Sequence, residues 1–312
     1  MVDSKQQWKA WLYLAPAIVL LLVFTVWPII NTVRLAFLEG YNALEATWGA
    51  TYNIGIGNFI EVLDYDDFTT CVVNTIVLTF LTVPVSTILA LLIAVALNSI
   101  KPLQKFLQTI FFLPYVTNSI AIGMVFAAMF NIIGLRPDGS SADTWGIVNN
   151  IIMFFGGEPV NWINAQSSWW ANMAVMTIYI VWNALPFKIL VLLGGLQSIN
   201  KQYYEAARVD GTPRWRVLTK ITVPLLSPMI AYVVITGFIG GFKEYSSIVG
   251  IFGDTMGPVH DARRLNTMVG FIYDSLGTNS HGTASAAALI LFGIILVVTM
   301  INLQVSKKRV HY

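Results

Sequence analysis

Six stretches of the sequence contain no Asp, Glu, Lys or Arg, and each is longer than 20 residues. These stretches are residues 10–33, 68–100, 106–135, 159–187, 221–242 and 275–306. An apolar α-helix of ~20 residues is long enough to cross a hydrocarbon core of ~30 Å. Because lipid offers no partners to unpaired backbone amides, such stretches cross a membrane as helices. The sequence therefore predicts an all-α, polytopic membrane protein with six transmembrane helices.

The composition excludes several other classes of protein. Apolar residues make up 56% of the chain, charged residues make up 11%, and the mean hydropathy is +0.69. These values lie outside the range of soluble globular domains. The single cysteine, Cys71, excludes an internal disulfide, and the three histidines are too scattered along the chain to predict a metal site. The sequence shows neither a cluster of His, Asp and Glu nor an activated nucleophile, so it does not indicate a membrane enzyme.

The first apolar stretch could be mistaken for a secretory signal, because Lys5 and Lys9 precede it. However, its 24 charge-free residues exceed a typical signal core, and no small-residue cleavage site follows it. We therefore predict a retained helix.

The distribution of basic residues predicts the orientation of the chain. With the N-terminus inside, the inner segments contain Lys5, Lys9, Lys101, Lys105, Lys201, Arg208, Arg214, Arg216, Lys220, Lys307, Lys308 and Arg309. The outer segments contain Arg34, Arg136, Arg263 and Arg264. We expect residues 1–9 and 307–312 to be cytoplasmic ends of a transmembrane domain, residues 10–306. This sidedness accounts for the basic residues, so the net charge of +2 indicates no nucleic-acid partner.

The longest inner connection, residues 197–224, contains the polar sequence EAARVDGTPRWRVLTKITVP, residues 205–224, called the EAA segment below. Helix-forming residues precede Asp210, and Gly211 suits the left-handed position just past a helix end. Thr212 can cap a second short helix, and Pro213 fits its first turn. We predict a helix-turn-helix unit that projects from the membrane.

The second helix of this unit is expected to run from Arg214 to about Ile221. Three-residue spacing places Trp215, Leu218 and Ile221 near one face, with basic residues around the rest. Such a unit could lie among lipid headgroups as an amphipathic turn. It could instead dock a cytoplasmic partner, which would explain the acidic residues Glu205 and Asp210, since an anchor for anionic lipid has little use for them.

The spacing within the EAA segment resembles the cytoplasmic signature loop of ABC importer permeases. That loop has EAA, three residues, Gly, nine residues, Ile, one residue, an aliphatic residue and Pro. The matching residues here are Glu205, Ala206, Ala207, Gly211, Ile221 and Pro224. The one departure is Val223, where the family usually has Leu.

The resemblance extends over about residues 10–306 and is to the carbohydrate-uptake class, similar to maltose-type permeases. The motifs that carry it are IGNFIEVLDYDDFTTCVVNT, LPY, MFN, WGIVNN, NWIN, TMVGFIY and GTASAAA. Each motif is weak alone, but their order and spacing are specific. The resemblance implies a type I ABC importer permease fold in a bacterial inner membrane.

The resemblance also implies partners. In the family this loop forms a coupling helix that sits in a cleft of a cytoplasmic ATPase subunit. Here the coupling residues would be Glu205, Ala206, Ala207, Asp210, Gly211, Trp215, Ile221 and Pro224. The chain has no GxxxxGK[ST] loop, so it would not be an enzyme and would hold no cofactor, and ATP and Mg would bind two partner ATPases. A second, different permease and an extracellular solute-binding protein complete the expected assembly. The outer loops of this chain, with their tryptophans, are the expected docking surface for the solute-binding protein.

Polar residues of the third helix are candidates for lining a substrate pathway, since polar groups within a membrane are costly. Tyr115 and Ser119 would lie at i and i+4 on one face, with Asn118 beside them. Tyr115 and Ser119 match positions that line the sugar site in maltose-type permeases. Alternatively, these groups bond only to a neighbouring helix.

On the fourth helix, Tyr179, Trp182, Asn183 and Phe187 surround Pro186. Aromatic rings can stack on the apolar face of a pyranose while an amide bonds its hydroxyls. The maltose-type family has Asn, Gly and Tyr where this chain has Ile180, Ala184 and Phe187, so maltose specificity is not carried over. The next residue, Lys188, is expected to snorkel toward the cytoplasmic surface.

The fifth helix ends in GFIGGFKEY, residues 237–245, whose glycines permit close approach of a ligand or a helix. On this helix the side chains of Lys243 and Glu244 would point ~100° apart, so at least one is expected to face the cavity. The resemblance places Gly241 and Glu244 near sugar-contacting positions, and Tyr245 adjoins them. An ion pair with another subunit is the alternative.

Two other functions stay open at this stage. A secondary transporter driven by an ion gradient would need carboxylates in the membrane, and Glu244 is the only strong candidate. An ABC permease for a polyol or glycerol phosphate would have the same architecture as a sugar permease. The sequence predicts a carbohydrate, with an oligosaccharide as the expected class, and does not identify which one.

Overall fold

The computed structural model describes residues 7–41, 52–100, 104–133 and 144–309. The described residues form fifteen α-helices and one two-stranded antiparallel pairing. The first helices and strands are α1 (Gln7–Leu21), α2 (Trp27–Ala36), α3 (Gly57–Asp64), α4 (Asp66–Ser99), α5 (Gln104–Val116), α6 (Ser119–Phe130), β1 (Ile132–Ile133), β2 (Thr144–Trp145) and α7 (Ile147–Phe154). The others are α8 (Trp169–Ser198), α9 (Lys201–Val209), α10 (Arg214–Val217), α11 (Val223–Leu225), α12 (Ser227–Gly241), α13 (Ser246–Phe252), α14 (Met268–Gly277) and α15 (His281–Arg309).

Two π-helical segments and one 3₁₀ turn complete the helical structure. Leu22–Val26 joins α1 to α2, Leu218–Thr222 joins α10 to α11, and the 3₁₀ turn is Gly253–Thr255. Parts of the predicted terminal segments, residues 1–6 and 310–312, lie outside the described residues, as do Lys101 and Arg136 of the orientation argument.

Four helices are long and apolar enough to cross a membrane without interruption: Trp8–Ala36, Asp66–Ser99, Trp169–Ser198 and His281–Lys307. Two further pairs of helices meet the same criteria together, but each pair is sharply bent. The predicted all-α, polytopic architecture is confirmed. The count reaches six spans when each bent pair is counted as one.

The third predicted span is broken between α5 and α6, whose axes differ by 105°. Asn118 takes an extended conformation and caps α6, because its Oδ1 accepts hydrogen bonds from the amides of Ile120 (2.9 Å) and Ala121 (3.4 Å). A capping side chain of this kind begins a new helix. The prediction that Tyr115 and Ser119 share one helical face was therefore wrong, since they lie on opposite sides of the break.

The fifth predicted span is bent by 70° between Arg214–Leu225 and Ser227–Gly241. It ends at Gly241, and a turn of four residues leads to α13. Lys243 and Glu244 lie in this turn, so the helical angle predicted between their side chains does not apply. The structure leaves Lys243 exposed and Glu244 half-buried.

The chain divides into two compact units. The first comprises residues 1–68 and 271–292. Within it, the side chain of Asn58 links α3 to the end of α2. This buried amide donates to the carbonyl oxygens of Ala36 (3.0 Å) and Leu38 (2.8 Å), past the end of α2. A Cβ atom at Gly282 would lie 2.7 Å from the Asn58 nitrogen. Asn58 and Gly282 belong to two of the sequence motifs, and here both have packing roles.

The second unit comprises residues 69–270 and 293–312 and has two apolar clusters. One is centred on Met176 and Tyr179 of α8 with Ile248 of α13, and the other on Leu192 of α8 with Val233 of α12. Helix α8 contributes to both clusters, and is therefore the central helix of this unit.

Asparagine side chains, among them the buried Asn74, connect the loops of the second unit to its helices. Asn74 donates to the carbonyl oxygens of Arg264 and Asn266, both at 2.9 Å, and accepts from Trp169 Nε1 at 3.0 Å. Asn164 similarly bonds Asn131 (2.7 Å). A buried polar group needs such partners. These motif residues therefore hold loops in place.

Candidate functional site

Three residues of α8, spaced four apart, form a stripe that faces the break between α5 and α6. They are Tyr179, Asn183 and Phe187, and four-residue spacing places them on one side of a helix. The Tyr179 hydroxyl donates to the carbonyl oxygen of Ser119. The ring of Phe187 stacks on Tyr115 with centroids 6.0 Å apart and planes inclined by 19°. Helices α5 and α6, which flank the break, therefore both contact α8.

Asn183 lies between these two contacts on the same stripe. Its side chain is half-buried and has no hydrogen-bond partner among the described residues. An amide carries two donor hydrogens and an acceptor oxygen. Asn183 is therefore available to bond a polar ligand that enters beside Phe187.

The stacked pair belongs to a longer row of aromatic side chains from three helical segments. Phe112 lies 5.4 Å from Tyr115, and Phe187 lies 6.4 Å from Tyr232 of α12, between ring centroids. Tyr115 and Tyr232 keep 53% and 49% of their surfaces exposed. These four residues are called the aromatic row. Sequence reasoning missed Phe112 and Tyr232, because nothing in an apolar stretch indicates which of its rings meets another helix.

Glu244 lies at the turn between α12 and α13. One carboxylate oxygen accepts from the Ser247 amide at 3.2 Å, and the Glu244 carbonyl accepts from the Thr267 hydroxyl at 2.9 Å. The Ser247 side chain also interacts with both Glu244 and Tyr179. The Glu244 carboxylate is therefore held near the Tyr179 hydroxyl, at one end of the α8 stripe. Ser247 was another residue that the sequence did not single out.

Several predicted substrate residues have packing roles. Asn118 caps α6, and the ring of Trp182 packs against Phe126 with centroids 5.2 Å apart. A Cβ atom at Gly241 would lie 2.8 Å from the Thr79 side chain, so this glycine lets α12 approach α4. Tyr245 packs on the cluster around Tyr179.

Lys188 does not snorkel, and that prediction was wrong. Its side chain is buried, and Nζ donates to Ser86 Oγ (2.7 Å), Thr87 Oγ1 (3.0 Å) and the Val83 carbonyl (3.2 Å) of α4. Helix α8 continues for ten residues beyond Lys188. The ammonium group therefore finds hydroxyl partners on α4 before it could reach the helix end.

The EAA segment forms the predicted helix-turn-helix. Gly211 has φ +64°, and its amide and that of Thr212 bond the carbonyls of Arg208 (3.1 Å) and Ala207 (2.9 Å). This is the Schellman pattern, in which Gly takes the left-handed position. The predicted Thr212 cap was wrong: Pro213 is extended, so α10 begins at Arg214 and Pro213 occupies the N-cap position.

The exposed side of the EAA segment mixes charged and apolar residues. Glu205, Ala206 and Asp210 are exposed, and Trp215 keeps 72% of its surface exposed. Ala207 is buried, while Ile221 and Pro224 are half-buried. The predicted second helix does not continue as an α-helix to Ile221, because α10 ends at Val217 and Leu218–Thr222 is π-helical.

Residues 86–311 match the family described as "Binding-protein-dependent transport system inner membrane component". The chain belongs to this family. The match includes the EAA segment, α8 and the turn that holds Glu244. The predicted permease family is therefore confirmed, as is the multi-pass membrane character of the chain.

The permease is similar along nearly its whole length to proteins with known transport roles. It is 29% identical to the lactose transport system permease protein LacF of Rhizobium radiobacter, over 94% of this chain and 91% of that protein. It is 29% identical to the arabinooligosaccharides transport system permease protein AraP of Bacillus subtilis, covering 95% and 88%. Identity to the trehalose/maltose transport system permease protein MalF of Thermococcus litoralis is 28%, covering 96% and 94%.

Two solved structures have the same fold. One is a bacterial ABC transporter that imports the acidic polysaccharide alginate, with a TM-score of 0.76, 23% identity, and coverage of 98% of this chain and 97% of that one. The other is a bacterial alginate ABC transporter in complex with an alginate pentasaccharide-bound periplasmic protein, with a TM-score of 0.76, 25% identity, and coverage of 98% and 96%. These matches confirm the predicted importer permease fold.

Proposed function

We propose that this permease forms part of the translocation pathway of an ATP-driven importer for a carbohydrate, with an oligosaccharide as the expected class. The observation that carries the proposal is the aromatic row, with Asn183 one turn away on α8. Sugar sites combine ring faces for the apolar side of a pyranose with amides for its hydroxyls. The names of the three similar permeases, which concern sugars, support this assignment.

The energy for transport would come from partner subunits. Two cytoplasmic ATPases, which bind ATP and Mg, would dock on the EAA segments of this permease and of a second, different permease. Closure of the ATPases would then move the helices as bodies and switch the cavity between inward-facing and outward-facing states. The Schellman turn at Gly211 supports such force transfer, since its hydrogen bonds to the Arg208 and Ala207 carbonyls define how the chain leaves α9 toward α10.

On the other side of the membrane, an extracellular solute-binding protein would deliver the sugar. The complex of the similar alginate transporter with its periplasmic protein supports this arrangement. The proposed orientation has both termini in the cytoplasm of a bacterium, with lipid around the spans and no nucleic-acid partner.

An ion-coupled mechanism has less support. Glu244 is the only strong candidate for a coupling carboxylate, and its contacts with Ser247 fit a positioned polar group at a ligand site. Family membership likewise favours a binding-protein-dependent mechanism.

The experiment is reconstitution of the permease with its second permease, ATPase and binding protein in proteoliposomes. ATPase activity would be measured with lactose, maltose, trehalose, arabinotriose, glycerol 3-phosphate and sorbitol. We expect stimulation of about tenfold or more by at least one of the four sugars and by neither of the other two compounds. Stimulation only by glycerol 3-phosphate or sorbitol would contradict the carbohydrate assignment.

The Glu244→Ala variant should change substrate affinity without loss of ATPase association. A charge-assisted hydrogen bond contributes about 1.5–3 kcal/mol, so we expect KM for the best sugar to rise roughly 10- to 100-fold. Co-purification of the ATPase would remain at the wild-type level. The matched control is Asp254→Ala, an exposed carboxylate in a separate turn. Unchanged KM and selectivity in Glu244→Ala would remove this residue from the site.

A further inference from the structure

Lys188 has an unusual environment for a charged residue in a membrane helix. Only 4% of its surface is exposed, and its three hydrogen bonds all go to one turn of α4: Ser86, Thr87 and the Val83 carbonyl. An ammonium group has three donor hydrogens, so this arrangement satisfies each of them. Every acceptor is neutral.

The charge has no carboxylate partner on the helices that surround it. Residues 69–99, 169–198 and 227–241, which form α4, α8 and α12 within the second unit, contain neither Asp nor Glu. A cation inside a membrane protein is costly and indicates a functional role by default. Packing alone would need only an apolar side chain here.

A third helix, α12, packs beside the ammonium group. A Cβ atom at Gly237 of α12 would lie 3.2 Å from Lys188 Nζ and 3.1 Å from a methyl group of Val83. The glycine therefore gives α12 the room to pass the lysine at close range. Lys188 thus lies where α4, α8 and α12 meet.

Both helices that Lys188 connects contain a proline at this level. Pro84 lies in α4 beside Val83, and Pro186 lies in α8 two residues before Lys188. A proline removes one backbone hydrogen bond, and a helix bends most readily there. Phe187, whose ring stacks on Tyr115, lies between Pro186 and Lys188. A bond from Lys188 to α4 therefore constrains the segment that carries Phe187.

We propose that Lys188 is a positioning residue, which ties the Pro186 segment of α8 to α4 and thereby holds the Phe187 ring in the aromatic row. This inference rests on the proposed function, in which that ring contacts the sugar. Lys188 itself does not contact substrate in this arrangement, because all three of its N–H groups are bonded and its side chain is buried.

The test uses the complete transporter and the best-transported sugar among lactose, maltose, trehalose and arabinotriose. We expect Lys188→Met to raise KM about tenfold, since a displaced ring loses its stacking on the sugar. In a Phe187→Ala background the same substitution should change KM by less than about twofold, because both changes act through one ring. A purely structural lysine would instead lower the melting temperature or the maximal rate and leave KM unchanged.

A second variant keeps the lysine and removes its partners. Ser86→Ala with Thr87→Val should raise KM in the same direction, and adding Lys188→Met should have little further effect on KM. The control is Thr177→Val, which removes a hydroxyl of α8 that bonds only its own helix, at 2.7 Å. If Lys188→Met does not fold, the Ser86→Ala, Thr87→Val variant alone tests the positioning role. A wild-type KM in that folded variant would overturn the inference.

The outcomes separate the two proposals. A normal KM in Phe187→Ala would reject the stacking site, and the role of Lys188 with it. A raised KM in Phe187→Ala, together with a full tenfold additional effect of Lys188→Met, would reject only the positioning role.

Discussion

The Glu205→Ala, Gly211→Val double variant is expected to lower sugar uptake roughly 100-fold or more, since a lost interface hot spot of about 2 kcal/mol and a disfavoured turn of about 1–2 kcal/mol add to about 3–4 kcal/mol. Glu205 is exposed, so its removal would take away the proposed contact with the ATPase without opening the interior of the permease. Gly211 has φ +64°, and nothing lies within 4 Å of a Cβ atom built there. Valine would therefore cause no clash, but it would disfavour the left-handed turn by about 1–2 kcal/mol.

The measurement compares uptake, ATPase activity and melting temperature of the assembled transporter. Binding-protein-stimulated ATPase activity should no longer drive uptake, while the melting temperature stays close to that of the wild type. The control is Lys307→Ala, which removes an exposed charge near the C-terminal end of α15, outside the EAA segment. Wild-type uptake in the double variant would count against docking at the EAA segment.

The second large effect is expected at the aromatic row. Substitution of both Tyr115 and Phe187 by alanine should raise KM roughly 30-fold or more, because loss of a buried aromatic contact with a ligand costs about 2 kcal/mol. Tyr115 is half-exposed, and neither Tyr115 nor Phe187 belongs to either apolar cluster, so the pair can be truncated without opening one.

Two quantities are measured: uptake as a function of sugar concentration, which gives KM, and the amount of ATPase that co-purifies with the variant. The control is Phe24→Ala in the first span, a ring that is 72% exposed. If the double variant kept its affinity and selectivity, the sugar would have to bind elsewhere in the pathway.

Much of the architecture could be predicted because it depends on local composition. The charge-free stretches correspond to helices, since a membrane span requires only sufficient apolar length. Gly211 could be predicted to end α9, because the left-handed conformation is a property of a single residue. The family followed from the spacing of the EAA segment, which is likewise read along the chain.

Predictions that assumed an uninterrupted helix were less successful. Four-residue spacing predicts one face for Tyr115 and Ser119, but Asn118 begins a new helix between them. Lys243 and Glu244 were treated as helical, but α12 ends at Gly241. In both cases a cap or a turn stabilised by neighbouring segments replaced the backbone bonds that the periodic pattern assumed.

The sequence by itself determined the number and length of the apolar stretches, the Schellman turn of the EAA segment and the family, because each depends on residues that are close along the chain. Only the tertiary structure decided that Lys188 bonds α4, that Tyr232 joins the aromatic row and that Gly241 packs on Thr79. These contacts join helices far apart in sequence. Since lipid and a neighbouring helix are equally apolar surroundings for most side chains, composition does not specify which helices meet.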